Sequence, residues 1–482
     1  MLSFPRRCML VASVLLLAPA APWAQTPGST GQGNPALQPQ SPFAGSVPAG
    51  KPSAAVLPLS LKDALDRGLR QNLGLLLTGE GITSARGQHW KDLSELLPNL
   101  TTSTSFNATQ INLRTVGLNV AAFSALGIHI PSVVGPFGIF DARAFVTQSV
   151  FNWQAIEQTR SSSQQTKAAQ YSFRDAREVV VFAVASAYLQ TIADAARVET
   201  AVAQRDTAQA LSQQASDQLQ AGTTAAIDAL RAKVELQARE QQLIAARNEY
   251  AKQKIALARV IGLPSGQEFT LTDNPAYEAQ PPITIDEALR RAYASRNDYQ
   301  SALAQLRAAT LARKAAVARY YPSLSTAVNY GDIGINPGNS HGTLDATAAL
   351  NIPIFQGGRI HGEVLQAQAA LRQSEEMLDN LRAQIDQDVR NALLDLQSAA
   401  EQVEVARSSV DLAGQTLQQA RDRFAAGVAD NIEVVQAQQS VASANESLIS
   451  SLYAYNVSKI ALGRAIGHAE SGVQEYFKGS NP

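Results

Sequence analysis

The stretch "SLSTAVNYGDIGINPGNSHGTLDATAALNI" spans residues 323–352 and decides the fold. Apolar side chains recur at every second position on both sides of a turn-like segment, 331–342, that is rich in glycine and asparagine. A period of two with one apolar side is typical of strands whose other face is wet. Each alternating segment has about ten residues, the length that a tilted strand needs to cross a bilayer. The pattern therefore predicts two strands, near 323–331 and 343–354.

This hairpin belongs to the second of two copies of one unit. "KIALARVIG" at 254–262 returns as "KIALGRAIG" at 459–467, and "LLPNL" at 96–100 returns as "YYPSL" at 320–324. Self-similarity over such a distance indicates tandem repeats. The predicted organisation is a first repeat at 59–263 with strands near 99–111 and 142–152, a linker at 264–282, and a second repeat at 283–467.

The two copies differ by a segment between the first-copy strands. The offset between copies is 224 residues at "LLPNL" but 204 at Phe151, which corresponds to Phe355. The first copy therefore carries about 20 extra residues, which we place in the apolar segment 114–140. Two hypotheses stay open for this segment: a lid over the mouth of a barrel, or packing on its rim or among lipopolysaccharide.

The remainder of each copy has a helical pattern. One helix is predicted from Ser60 to Pro98 and another from Thr284 to Pro322, each with an acid three residues after its first residue. Residues 154–219 contain neither proline nor glycine, which predicts a helix of roughly 100 Å. In the second copy, apolar residues spaced alternately by three and four positions predict a coiled-coil seam. They are Val403, Ala406, Val410, Ala413, Leu417, Ala420 and Phe424. A plain helical bundle would also fit these helices, but the strands argue against it.

The ends of the chain predict processing and disorder. Arg6 and Arg7 precede a short apolar run, and small residues follow it, which predicts a signal peptide at 1–24. Segment 25–58 is rich in proline, glycine, serine and glutamine and is predicted to be a disordered linker. The tail 468–482 has a similar composition. Cys8 is the one cysteine, so we expect no disulfide in the processed chain.

Composition narrows the class of protein. Hydrophobic residues make up 45% of the chain and aromatic residues only 6%, which favours helices over a large β core. The net charge of −1 gives no indication of nucleic-acid binding. No segment after the signal peptide is predicted to be apolar enough for a transmembrane helix.

Four strands cannot close a barrel, and an open sheet edge is not tolerated in lipid because its backbone groups would be unsatisfied. The smallest bacterial barrels have about eight strands. Several chains must therefore share one barrel if these strands cross a membrane. Three chains would supply about twelve strands, enough for a water-filled lumen.

The sequence resembles the outer membrane efflux protein (TolC-like) family over roughly residues 58–467. The resemblance rests on the repeat, on "LSLKDAL" at 59–65 and "ITIDEAL" at 283–289, and on "PIFQGGR" at 353–359. It implies a mainly α fold with transmembrane β: a trimeric twelve-stranded β-barrel, four strands per chain, continued by a long α-helical coiled-coil barrel.

The resemblance also implies a function and partners. Such a chain is the outer membrane channel of a tripartite efflux or type I secretion system, a passive exit duct with a gate at its periplasmic tip. It forms a homotrimer in outer membrane lipid and acts with a periplasmic adaptor (membrane fusion protein) and an inner-membrane transporter, without nucleic acid. The cargo stays open: a drug, a metal ion or a secreted protein.

The family pattern assigns roles to the two helical turns. The turns fall at Gly222 and Gly427, where glycine accommodates a left-handed backbone. The resemblance assigns adaptor binding to Ala221, Gly222, Thr223, Ala426, Gly427 and Val428. It assigns the pore gate to the positions of Glu433 and Gln436. Asp228 is the first-copy counterpart of Glu433, and Asp430 adds an acid nearby, so both are included in the predicted gate. Glutamine at 436, where the family has a second acid, puts a double acidic ring in doubt. Asp228 and Glu433 also suit the first turn of a helix, where the helix dipole favours acids.

We find no motif for catalysis, for a metal or for a cofactor in this sequence. The protein is therefore predicted not to be an enzyme. The alternative to a duct is a periplasmic coiled-coil scaffold without a pore.

Overall fold

A computed structural model describes residues 42–117, 127, 130–273, 277, 283–426, 428, 431–470 and 472. The predicted signal peptide, most of the tail after 468, and two of the predicted site residues, Gly427 and Asp430, lie outside these ranges. The helices are α1 (Leu61–Gln71), α2 (Leu73–Ser94), α3 (Trp153–Gln220), α4 (Ala226–Val260), α5 (Ile285–Ser295), α6 (Asn297–Ala318), α7 (Arg359–Ala425) and α8 (Asn431–Ala465). The strands are β1 (Leu57–Leu59), β2 (Asn99–Asn112), β3 (Val133–Phe151), β4 (Phe269–Leu271), β5 (Ser323–Gly334) and β6 (Ser340–Asn351).

Four long strands form one antiparallel sheet in the order β2-β3-β5-β6. All four strands lie where alternation predicts them, but β3 begins at Val133, nine residues before the predicted 142. Its first half pairs with β2, Ile111 lying opposite Val134. Part of the segment 114–140 is therefore strand and not loop, because the longer first-copy hairpin continues its ladder.

The two faces of this sheet differ in polarity. Residues opposite one another share a face, so Leu100, Val146, Val328 and Ala346 lie together on an apolar side. The other side carries a polar cluster. There Arg143 donates hydrogen bonds from Nε and Nη2 to Asp141, at 2.7 and 2.6 Å, and from Nη1 to Asn329 Oδ1 at 3.3 Å. Asp345 faces Asn329 in the register of the next strand.

The predicted single helix from Ser60 to Pro98 is wrong: it is two helices broken at Asn72. Asn72 has an extended backbone (φ −63°, ψ 126°), and its side chain accepts a hydrogen bond from Leu75 N. The second copy breaks at Arg296, which has a similar extended backbone (φ −62°, ψ 121°) but makes no capping hydrogen bond with its side chain. At the start of α1, Ser60 and Asp63 form a complete capping box.

The predicted disordered linker is also wrong at its C-terminal end, since residues 43–49 contact the helices and residues 57–58 belong to β1, although 50–56 are exposed. Asn72 Nδ2 donates to the Phe43 carbonyl at 2.8 Å, and the Phe43 ring covers Gly74 so closely that a Cβ there would clash with it. β1 then pairs in parallel with β4, which lies inside the predicted inter-repeat linker. Composition misses the pairing of β1 with β4 because these strands lie more than 200 residues apart.

The long helix α3 has 68 residues, about 100 Å at 1.5 Å per residue. Contrary to the sequence prediction, it contains a stretch long and apolar enough to cross a membrane by length and composition alone. Half of that stretch is buried inside the chain, as expected for a core helix. The core cluster of α3 includes Val180, Val181, Val184 and Tyr188 and packs on α1, β1 and β4. Tyr188 Oη donates to the Leu59 carbonyl at 3.0 Å and lies 2.8 Å from Asp273 Oδ2.

Candidate functional site

The first helical turn lies at the far end of α3 from the sheet. Ala221 ends the helix, and Gly222 adopts a left-handed backbone (φ 71°). Thr223 N donates to the Gln218 carbonyl at 2.9 Å, and Gly222 N donates to the Leu219 carbonyl at 3.0 Å. These bonds satisfy the last carbonyls of α3. Ala221, Gly222 and Thr223 are exposed, so their surface is open to a partner.

The second turn lies between α7 and α8, and the structure describes its residues Ala426 and Val428. Ala426 N donates to the Asp422 carbonyl and Val428 N to the Arg423 carbonyl, both at 3.0 Å. Val428 is 71% exposed, although it is apolar. Below this turn Leu211, Ala420, Val434 and Ala437 form one buried cluster, so the two helix pairs touch near their tips.

The described gate residues lie at the starts of α4 and α8. Asp228 is in the first turn of α4 with its Oδ1 3.4 Å from Arg231 Nη1. Glu433 is in the first turn of α8 with its Oε1 3.4 Å from Arg423 Nη2 across the turn. Gln436 is exposed one helical turn further on. Both acids therefore occupy the position that the helix dipole favours, and each also lies beside an arginine.

A buried arginine joins the two helix pairs, and sequence analysis did not find it. Arg239 of α4 is 4% exposed. Its guanidinium pairs with Glu235 at 2.6 Å and donates to three amide oxygens: Gln439 at 2.7 Å, Gln242 at 2.9 Å and Gln204 at 3.3 Å. Glu235 four residues earlier was a visible signal, but α4 carries other arginines that are exposed.

Beside Arg239 lies a groove of about 310 Å³ between α3, α7 and α8, lined by Leu417, Gln438 and Val441 among others. Gln438 is 9% exposed, and its Nε2 is buried without a hydrogen-bond partner. This surface has a polar donor and apolar walls.

A second charged cluster lies at the α5–α6 break. Arg296 donates to Asp298 at 2.6 Å and to Asp388 of α7 at 3.0 Å. Burial alone would lower the pKa of Arg296, but its bonds to Asp298 and Asp388 outweigh burial and raise it. Burial, followed by the charge of Asp298, raises the pKa of Asp175 of α3, while Arg464 and Arg296 oppose that shift. This cluster joins helices from both copies.

Within the ranges that the structure describes, no three His, Cys, Asp or Glu side chains are placed to hold a metal ion.

Comparison with known proteins identifies the class. The family model for outer membrane efflux proteins matches residues 84–263 and again 288–468. These two matches cover well over half of the chain, and the chain belongs to the outer membrane efflux protein family. Members of this family are channels of the outer membrane with their helical barrel in the periplasm.

Individual proteins similar to this chain are also outer-membrane proteins. The chain is 26% identical over 340 residues to the pyoverdine export outer membrane protein OpmQ of Pseudomonas putida, covering 68% of this chain and 70% of the relative. The outer-membrane channel OprN has a similar structure, with a TM-score of 0.74 and 18% identity, over 85% of this chain and 90% of OprN. The Campylobacter jejuni CmeC outer membrane channel has a TM-score of 0.73 and 18% identity, over 86% of this chain and 89% of CmeC.

Proposed function

We propose that this protein is the exit duct of a tripartite efflux or secretion system, built as a trimer with a shared twelve-stranded β-barrel. One observation carries the proposal: the sheet β2-β3-β5-β6 has one apolar face, one polar face and two edges without a second neighbour among the described residues. Such edges cannot stay open in lipid. Three copies of four strands close the sheet and place the polar cluster around Arg143 in the lumen.

The polarity of the two sheet faces indicates which face meets lipid. Leu100, Tyr330, Leu344 and Leu350 of the sheet are exposed and alternate with polar residues. Lipid covers them in the closed barrel. At the helical end of the sheet, Trp90, Trp153, Tyr320 and Tyr321 are also exposed, as in the aromatic girdles of outer-membrane barrels.

The long helices support a trimer independently. α4 leaves Ile227, Leu230 and Val234 exposed, although Ala232 and Leu243 on the same helix are buried. α7 leaves Val405 and Leu412 exposed, although its Ala420 is buried in a cluster with α3 and α8. An exposed apolar stripe on a helix that is already packed on one side indicates that a second helix covers it. In a closed α-barrel each helix has two.

The tips are proposed to work as gate and docking surface. Asp228, Asp430, Glu433 and Gln436 would surround the axis three times over, and rings of acids favour cations. The exposed residues Ala221, Gly222, Thr223, Ala426 and Val428 would bind the periplasmic adaptor together with Gly427. The inner-membrane transporter would supply the energy.

Native mass spectrometry of protein extracted unboiled from purified outer membranes tests the duct. We expect a trimer of the processed chain. A soluble monomer or dimer recovered from the periplasm would contradict the duct and favour the coiled-coil scaffold, which has no need of membrane strands.

A further inference from the structure

The feature that carries a further inference is the pair of open edges, β2 and β6. The inference rests on the proposed trimer and adds what the trimer alone does not specify: which residues of β6 face which residues of β2 in the next chain. Register matters because a shift of one residue would turn the apolar face of a strand into the lumen.

The two hairpins obey one register rule. In the first hairpin Thr102 lies opposite Ala144, and in the second Thr326 lies opposite Ala348. The first-strand residues differ by 224 and the second-strand residues by 204. These are the offsets of the sequence repeat at "LLPNL" and at Phe151. The β2–β3 hairpin therefore corresponds residue for residue to the β5–β6 hairpin.

The junction between the hairpins is visible within one chain, where β3 meets β5. Ala142 lies opposite Asp332, Arg143 opposite Gly331, and Phe151 opposite Leu324 beyond a bulge. If the hairpins are equivalent, the junction between chains repeats this one, with β6 in the place of β3 and β2 in the place of β5.

We propose that β6 pairs with β2 of the next chain in this transferred register. Applying the two offsets places Ala346 opposite Ala108 of the partner subunit and Thr347 opposite Asn107 of the partner subunit. Continued beyond the end of β6 at Asn351, the same offsets bring Phe355 to the position of Leu100 of the partner subunit.

Two observations fit this register. Leu100 and Ala346 both lie on the apolar face, so the transferred pairs keep that face continuous from chain to chain. In the single chain Phe355 is 87% and Leu100 68% exposed. The proposed register brings these two side chains to the same end of the seam, Phe355 lying four residues beyond Asn351, the last residue of β6.

Disulfide trapping tests the register. The chain has one cysteine, Cys8, in the predicted signal peptide, so a Cys8→Ser background is free of thiols. The matched pairs are Ala346→Cys with Ala108→Cys on the apolar face and Thr347→Cys with Asn107→Cys on the polar face. The control is Ala348→Cys with Ala108→Cys, which keeps the face but is displaced by two residues.

Geometry separates the pairs. Directly opposite Cα atoms are about 4.5–5.5 Å apart, whereas diagonal neighbours are about 7–8 Å apart, and a disulfide does not span Cα atoms more than about 7 Å apart. After oxidation in outer membranes we expect the matched pairs to yield a covalent trimer on a denaturing gel. The trimer band should disappear on reduction, and the control should lack it.

Trapping of the displaced control in place of the matched pairs would overturn the register and leave the duct intact. Absence of trapping in all three variants, with a trimer in native mass spectrometry, would also overturn the register. Loss of the trimer in the unmodified protein would remove the proposed function itself.

Discussion

Replacing Arg239 with methionine removes a buried guanidinium that joins α4 to α8. Methionine keeps the length of the aliphatic stem, so the loss is chiefly that of charge and hydrogen bonds. The variant leaves the Glu235 carboxylate without its ion pair and three glutamine side chains without their shared donor.

The magnitude follows from burial. Breaking a buried ion pair by removing one partner costs about 3–5 kcal/mol. The Glu235 side chain is 18% exposed, so water reaches it in part and we expect the lower value, about 3 kcal/mol. The entropy of unfolding is about 2.1 cal/mol/K per residue, which makes about 1 kcal/mol/K for the 482-residue chain. The melting temperature should therefore fall by about 3 °C.

The assay is thermal unfolding followed by circular dichroism in detergent. Arg247→Met on the exposed side of the same helix is the matched control, with an expected change within about 0.5 kcal/mol. Adding Glu235→Gln to Arg239→Met removes the orphaned charge and should raise the melting temperature again. Equal melting of Arg239→Met and Arg247→Met would refute the buried α4–α8 connection.

Three further perturbations address the gate, the charged cluster and the first turn. Asp228→Ala combined with Glu433→Ala should raise single-channel conductance in a planar bilayer and weaken block by multivalent cations; unchanged block would remove these acids from the pore. Asp175 has a raised pKa in the folded protein, so its contribution to stability is full below its unfolded pKa and is lost as pH rises through the folded value. Asp175→Asn should accordingly melt higher than the parent at pH 7, with the gap closing below about pH 4; a gap that persists in acid would contradict burial as the cause. A Cβ at Gly222 would meet no neighbour within 4 Å, but the backbone there has a positive φ. Gly222→Ala should therefore add about 1–2 kcal/mol of local strain and speed hydrogen exchange of the amides in the turn. In Gly222→Asn these amides should exchange more slowly than in the alanine variant.

Much of the fold was predictable because it depends on local patterns. Alternation at 323–352 indicated β5 and β6 to within a few residues, and the absence of proline and glycine from 154–219 indicated α3 almost to its ends. The left-handed turn at Gly222 was predicted for the same reason, since glycine adopts that conformation without a Cβ clash.

The failures have a common cause. Asn72 interrupts a predicted helix that contains no internal proline, because its side chain accepts from Leu75 N to cap α2 and also donates to the Phe43 carbonyl, 29 residues earlier. Residues 43–49 and 57–58 looked disordered by composition, yet 43–49 contact the helices and 57–58 pair with β4. Neither propensity nor periodicity carries information about a pairing such as that of β1 with β4, which lie more than 200 residues apart.

The candidate site also has parts that local sequence predicts and parts that depend on packing. The repeat and the turn glycines predicted where both long helices end and which acids follow, because the signals for a helix end lie in a few consecutive residues. The connection between Arg239 and Gln439 joins positions 200 residues apart, and the bond from Arg296 to Asp388 joins positions 92 residues apart. Those contacts exist only once the long helices pack side by side, because packing alone brings the groups within hydrogen-bonding distance and removes them from water.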